Sequence, residues 1–308
     1  MKLKNKRGQF FTVAAILLII LTFVTFELFS LLQEDKVIKT RVSTMDSFLT
    51  SVEKNLERQM YIAGFRILFL AENEITSKGV YVSNLSRFFD EAFFNGTVNG
   101  VANNTILTGA TYSDLVSSVN TKGAKINVDI SMTNSSLVVT QSDPWNVNLT
   151  LVSDFVMEDR EELAKWEKKQ RISVLIPITF FEDPLFTINS LARISKKFSI
   201  TPYEGAYSVG GVPTGLVDHF DKSYYAANPK APSFLKRLEG DLSPDTNGVE
   251  SFVKKSEFSA QGLGIFDKTS IDYIYFDSSS NPASHGVTGM PSLFKIDGID
   301  DHDIKYGV

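Results

Sequence analysis

The sequence predicts an α+β protein. A long N-terminal helix, membrane-spanning and then stalk-like, should be packed on or followed by an antiparallel β-sheet domain with a loop-rich C-terminal part. Three observations lead there. Gln9 to Leu32 reads QFFTVAAILLIILTFVTFELFSLL, with Glu27 its only charge. An apolar stripe of 3.5-residue period continues to Leu70. Between Ile126 and Ile178 a two-residue alternation replaces it.

The apolar run comes first. Twelve of the eighteen residues from Gln9 to Phe26 are Phe, Ile, Leu or Val, and Gln9–Leu32 as a helix rises about 36 Å, enough to cross a hydrocarbon core of about 30 Å. Lys2, Lys4, Lys6 and Arg7 precede it and Glu34 and Asp35 follow it, so the positive-inside rule keeps the first eight residues in the cytoplasm and everything after Leu32 outside. A cleaved secretory signal is the competing reading. Its apolar core is shorter, about 7 to 15 residues, and ends in an A-x-A-like site, whereas Phe26 to Asp35 contains no Ala.

The junction Lys6-Arg7-Gly8-Gln9-Phe10-Phe11 puts a short basic leader ending in Gly directly before the apolar segment. In this it resembles the class III signal peptides of type IV pilin-like proteins, the archaeal branch in particular. The match covers about the first 30 residues. The resemblance implies a prepilin-peptidase-like processing enzyme that cuts between Gly8 and Gln9, and self-association through the apolar helix. The fifth residue counted from Gln9 is Val13, where bacterial pilins carry Glu, and the Gly-Ile-Gly-Thr-like start of archaeal flagellar subunits is missing. A pilin-like surface protein is therefore favoured over a motility filament subunit.

Beyond the span, Ile38, Val42, Met45, Leu49, Val52, Leu56, Gln59, Ala63, Ile67 and Leu70 recur at intervals of four and three. Such a stripe fits a coiled coil between subunits or one helix lying on the protein's own sheet. All ten prolines lie after residue 143, so one helix from about Phe10 to Ile75 is unbroken, with Gly64 its weakest point. Shorter helices are expected at Leu85–Phe94, from the face Leu85, Phe88, Phe89, Ala92 and Phe93, and at Ser113–Asn120.

Strand patterns follow. Ile126, Val128 and Ile130 alternate, then Leu137 and Val139 across an expected turn at Thr133-Asn134-Ser135. Trp145 to Met157 and Trp166 to Ile178 form a second hairpin. Glu158–Lys169 is a long hairpin tip or one helical turn. Later, a helix at Ser233–Leu238 and strands at Ile271–Phe276 and Leu293–Ile296 stand out, and the rest reads as long loops. The expected organisation is a basic leader (1–8), a transmembrane helix (9–32), a helical stalk (33–78), an α+β ectodomain (79–204) and a loop-rich C-terminal subdomain (205–308) folded onto the same sheet.

Composition bounds the chemistry. With 43% hydrophobic and 22% charged residues in 308, the chain is that of a folded protein. Net charge is −5, and losing the four leader cations leaves 27 basic against 36 acidic residues, an ectodomain that repels nucleic acid. There is no cysteine, which removes disulfides and thiolate chemistry. No nucleophile elbow, zinc-protease helix, P-loop or dinucleotide fingerprint occurs. His219, His285 and His302 are widely separated, and Gly210, Gly211 and Gly215 near Pro213 read as a turn. No catalytic residue, metal site or cofactor is expected. Ser243–Gly248 has a partial calcium-loop pattern that Lys254 spoils at the twelfth place, and Asp297, Asp300, Asp301 and Asp303 read as a solvated acidic tail.

Five N-glycosylation patterns fall between residues 84 and 150, at Asn84, Asn95, Asn103, Asn134 and Asn148. An ordinary Asn/Thr-rich loop region is the competing reading. The function expected is a pilin-like, membrane-anchored extracellular structural protein, a pilus or minor pilus subunit. The alternative is a membrane-tethered adhesive or ligand-binding ectodomain, and an ectoenzyme is the least supported class.

Overall fold

The computed structural model describes residues 6–203, 205, 207–208 and 212–308, of which residues 6–9 and 34 are described by backbone alone. Most of the basic leader, Glu204 at the expected 204/205 boundary, and Gly210-Gly211 therefore lie outside the described residues. Helix α1 (Lys6–Lys78) runs unbroken for 73 residues, about 110 Å at 1.5 Å per residue. It has two regimes. From Phe10 to Thr44 its described side chains are exposed apart from the half-buried Arg41, and from Met45 onward one face is buried.

That buried face puts the stripe from Met45 onward on the protein's own sheet, while its first two residues, Ile38 and Val42, are exposed. Met45, Leu49, Val52, Leu56, Met60, Ala63, Ile67, Ala71 and Ile75 enter the core, packed on the protein's own sheet. The seam follows the 3.6-residue period of a straight helix, so Met60 replaces the expected Gln59, which is half-buried and donates from Nε2 to Ser118 Oγ at 2.9 Å.

Gly64 has a role that helix propensity does not reveal. A Cβ there would lie 2.5 Å from Ile176 Cδ1 and 2.7 Å from Leu149 Cδ2, so helix and sheet approach closely here. Alanine regains about 1 kcal/mol of propensity and displaces only flexible side-chain ends. Gly64→Ala is therefore expected to be nearly neutral, and Gly64→Leu to cost about 1–3 kcal/mol by overpacking. Urea unfolding of the two variants measures the difference.

After α1 come α2 (Leu85–Asp90), prolonged by a π-helical turn at Glu91–Asn95, and the two-residue strands β1 (Thr97–Val98) and β2 (Val101–Ala102). Asn84 caps α2, accepting from Arg87 N at 2.8 Å, and the five residues of its apolar face are all buried. Helix α3 (Tyr112–Ala124) is longer than expected at both ends. It starts on a capping box in which Thr111 and Asp114 satisfy each other's backbone N–H.

The sheet is β3 (Val128–Asp143), β4 (Asn146–Asp159) and β5 (Lys165–Pro177), antiparallel in the order β3-β4-β5. The expected turn at Thr133-Asn134-Ser135 is instead a bulge inside a single 16-residue strand, where the register shifts between Thr133 and Ser136. Asn134 takes φ 49° there. The extra residue explains the odd step from buried Met132 to buried Leu137. The chain reverses at Pro144-Trp145, where Asp143 Oδ1 accepts from Trp145 N at 2.8 Å. A short loop at residues 160–164 joins β4 to β5.

One face of the sheet, carrying Val147, Leu149, Leu151, Phe155, Ile172 and Ile176, is covered by α1 with α2 and α3 beside it. The other carries Asn148, Ser173, Val138 and Leu175 and is largely open.

The C-terminal part is built from short pieces: α4 (Pro184–Asn189), α5 (Thr214–Asp221), β6 (Ala226–Ala227), α6 (Phe234–Glu239), β7 (Val249–Glu250), α7 (Lys255–Ala260), α8 (Asp272–Phe276), β8 (Ser284–Gly286), β9 (Lys295–Asp297) and α9 (His302–Tyr306). Helix α6 lies where expected. The strand expected at Ile271–Phe276 is helix α8, because its residues are buried on every side and leave no alternation to decide the period. The strand expected at Leu293–Ile296 is β9, which starts two residues later and ends one later. Much of what reads as loop is α4, α5, α7 and α9. Phe198, Tyr225, Phe234, Leu238 and Val249 from this part join the main core, and a second aromatic cluster forms around Phe252, Phe294 and Tyr306.

Candidate functional site

The described apolar side chains of Phe10–Leu32 have no partner in the fold. Phe10, Phe11 and Leu32 are 73%, 74% and 68% exposed, and α1 is the one helix among the described residues long and apolar enough to cross a membrane. Phe10–Leu32 spans about 34 Å, slightly more than the hydrocarbon core. Where its far boundary falls depends on Glu27 and the apolar residues beyond it. On the insertion scale Leu28, Phe29, Leu31 and Leu32 return about 0.3–0.6 kcal/mol each, against about 3 kcal/mol for an acidic residue at the centre of a span and less near its edge. With Leu32 at the edge, Glu27 lies only about 7 Å inside it and its carboxylate reaches the headgroup layer by snorkelling, so a membrane crossed by this helix has room for its far hydrocarbon edge near Leu32.

Thr22 and Thr25 donate their hydroxyls to the carbonyls of Leu18 and Leu21, at 3.0 and 2.9 Å, leaving no unpaired hydroxyl at either. The backbone at Gly8 and Gln9 is helical and continuous with the apolar run.

Arg41 marks the junction of stalk and domain. Its guanidinium pairs with Asp159 and donates to the carbonyls of Ile126, at 2.6 Å, and Asn127, at 3.1 Å. It thereby ties α1 to the end of β4 and to the α3–β3 connection. From Leu32 to Met45 the helix rises about 20 Å, which sets the distance from the span to the first core contact.

The five sequon asparagines are distinguished by geometry. Asn84, Asn95 and Asn134 are exposed. Asn84 and Asn95 line a groove of about 1300 Å³ between the end of α1, α2 and β3, and Ser136, the hydroxyl residue of the Asn134 pattern, lines it too. Asn103 is half-buried and accepts from Ile106 N at 3.0 Å. Asn148 lies in the central strand, accepting from Ser173 Oγ at 2.7 Å, and Thr150, which completes its pattern, is buried.

Two buried charge networks in the C-terminal part escaped the sequence reading. In the first, Arg237 Nη1 lies 2.6 Å from Asp183 Oδ2 and 2.9 Å from Asp272 Oδ2, all three residues fully buried. Nη2 donates to the Val249 carbonyl, Tyr225 Oη to Asp183 at 2.8 Å, and Ser251 Oγ to Asp272 at 2.8 Å. Burial opposes the charge on Arg237, but the two carboxylates outweigh it and its pKa is raised. Lys196 beside them donates to Ser251 Oγ and the Phe252 carbonyl, both at 2.9 Å, and burial pushes its ammonium down to about 7.

The second network centres on Glu250, which accepts from His302 Nε2 at 3.1 Å, Lys305 Nζ at 2.5 Å and Tyr306 Oη at 2.8 Å. The other ring nitrogen of His302 meets Asp297 Oδ1 at 2.9 Å. The tail expected to be solvated is thus anchored, with Asp297 and His302 fully buried. Burial alone would lower the His302 pKa, but Asp297 and Glu250 raise it to about 9. Glu250, despite its own burial, is held at about 2 by His302 and Lys305. His219 differs: buried beside Thr201 with Nε2 unpartnered, its pKa is pushed by burial to about 3, so the ring is neutral.

The carboxylates in these networks accept from internal donors, with Asp297 Oδ2 the one buried oxygen among them left without a partner. They act as struts holding short elements together. In Ser243–Gly248, Asp245 likewise serves as an internal acceptor, for Ser233 Oγ and Asn247 N. Gly248 is required because a Cβ there would lie 2.0 Å from the Ala231 carbonyl. Among the described residues no group of three or more His, Asp or Glu could hold a metal ion. No protein-family model matches this chain, and neither a curated protein nor a solved structure is similar to it.

Proposed function

We propose that this chain is a pilin-like, membrane-anchored surface protein, a pilus or minor pilus subunit. In this reading a prepilin-peptidase-like enzyme cuts between Gly8 and Gln9, and the exposed helix holds the protein in the membrane until it packs against copies of itself. The α+β domain is displayed outside the cell, with Asn84, Asn95 and Asn134 as its glycan acceptors. One observation carries the reading: a single helix joins the basic-Gly junction, an apolar span with no partner in the fold, and the core of the domain. Such a helix can exchange lipid for other helices without refolding the domain. The reading gives this chain no catalytic step of its own.

A second reading, a tethered ligand-binding ectodomain, draws on the groove of about 1300 Å³, lined by Arg87, Asp90 and Glu91 beside Tyr81 and Phe94. Mapping the N-terminus of the protein isolated from its own membranes, together with electron microscopy of surface filaments, separates the two. A chain starting at Gln9 and present in filaments is expected. A chain starting at Met1 and absent from filaments overturns the pilin reading in favour of the tether.

A further inference from the structure

We propose that the end of the domain around the Arg41 junction rests on the headgroup layer of the bilayer that α1 crosses, so that the domain is seated on the membrane and does not swing on a bare stalk. The inference rests on the membrane-anchored reading. With Leu32 at the hydrocarbon edge, Lys36 and Val37 stand about 6–8 Å beyond it, within the headgroup zone. At this level the helix is joined by the β4–β5 loop. A cleft of about 440 Å³ opens between them, lined among others by Lys36, Val37, Arg41, Asn127, Glu161 and Leu163.

The cleft is built, since Arg41 fixes its back wall through Asp159 and the carbonyls of Ile126 and Asn127. Its mouth is amphipathic. Val37 is 58% exposed and Leu163, at the loop tip, 37%. Lys36 and Glu161 in its lining make no ion pair among the described residues, and neither do Glu162 beside Leu163 or Lys122 and Lys125 in the turn that leads to Asn127, whereas Arg160 is paired with Asp129 at 2.8 Å. Cations and carboxylates near balance, around two aliphatic side chains, suit a zwitterionic phosphodiester headgroup better than a strongly anionic surface. The surface is continuous with the span itself, which brings lipid to it without a separate encounter.

The absence of cysteine allows a single nitroxide label at any chosen site. The full chain is reconstituted in phosphatidylcholine vesicles containing a nickel-chelating headgroup lipid, with labels at Leu163→Cys, Val37→Cys, Val24→Cys and Val80→Cys. Val37 is the calibration for headgroup depth, Val24 reports insertion, and Val80, two residues past the end of α1, whose last residue Lys78 lies about 70 Å beyond Leu32, is the distant control. Expected is loss of signal amplitude at Leu163 comparable to that at Val37, with none at Val80. If Val24 is in hydrocarbon but Leu163 behaves like Val80, the seating is overturned and the anchor stands. If Val24 is in water, both fall together.

Discussion

Replacing Arg237 by methionine is expected to destabilise the protein by about 3–5 kcal/mol at neutral pH, the cost of leaving a buried charge without its partner. The side chain is fully buried, and so are Asp183 and Asp272. Methionine fills similar volume, so the loss is mainly electrostatic. Asp183 keeps Tyr225 Oη and the N–H of Leu185, at 2.8 and 2.9 Å, and Asp272 keeps Ser251, but hydrogen bonds alone do not neutralise two carboxylates in one apolar site. Against a total stability of about 5–15 kcal/mol, the variant sits near the threshold of folding.

The pH dependence identifies the cause. Burial already raises the Asp183 pKa with Arg237 opposing it; with the guanidinium gone that opposition is lost, the pKa rises further above the unfolded value and the carboxyl takes up a proton in the folded state. A group so shifted contributes most at low pH and loses that contribution as pH rises. The deficit of Arg237→Met should therefore be smaller near pH 4 than near pH 7. Adding Asp183→Asn and Asp272→Asn, which remove the orphaned charges, should recover part of it. Equal deficits at both pH values in urea titrations would mean that lost packing, not charge, explains the effect.

How legible these features were depends on whether a periodic signal carried them. The apolar run, the stripe from Met45 and the alternation in β4 and β5 are one-dimensional patterns, and each became an element on the expected face. Leu85, Phe88, Phe89, Ala92 and Phe93 became one buried face even though the helix ends in a π turn. The bulge at Asn134 was misread because Thr-Asn-Ser is turn chemistry, and a left-handed residue serves a bulge as well as a turn. Helix α8 was misread because burial on all sides erases periodicity. The charge networks were invisible for a different reason. Asp183 and Arg237 are 54 residues apart and Glu250 and His302 are 52 apart, and nothing local marks either pair. Asp183 also caps α4, accepting from Leu185 N at 2.9 Å, a task the sequence reading did not assign it. The stalk junction was equally hidden, since Arg41 looks like one more charged residue beside the stripe.

The remaining large effect is the pH dependence of the C-terminal clasp, through which α9 and β9 are held to β7. His302 is fully buried and its folded pKa is raised to about 9 from an ordinary 6.5. A base raised in this way stabilises fully below 6.5 and loses that contribution as pH rises through about 9, on the order of 3 kcal/mol. Glu250, lowered to about 2 from 4.5, sets the opposite limb: its contribution is present above 4.5 and is lost as pH falls through about 2. The clasp is therefore strongest from about pH 4.5 to 6.5. The whole-protein stability curve does not isolate it, because Lys196, lowered to about 7 from 10.5, gains stability as pH rises over part of the same range. The difference between wild type and His302→Gln does isolate it. Glutamine keeps a neutral donor near Glu250 but cannot carry charge, so the variant should be weaker by about 3 kcal/mol near pH 6 and approach wild type near pH 10. Amide hydrogen exchange in α9 should follow the same course. A difference in unfolding free energy that stays constant from pH 6 to 10 would show that His302 is neutral when folded, and that Glu250 is held by Lys305, Tyr306 and Asn228 without it.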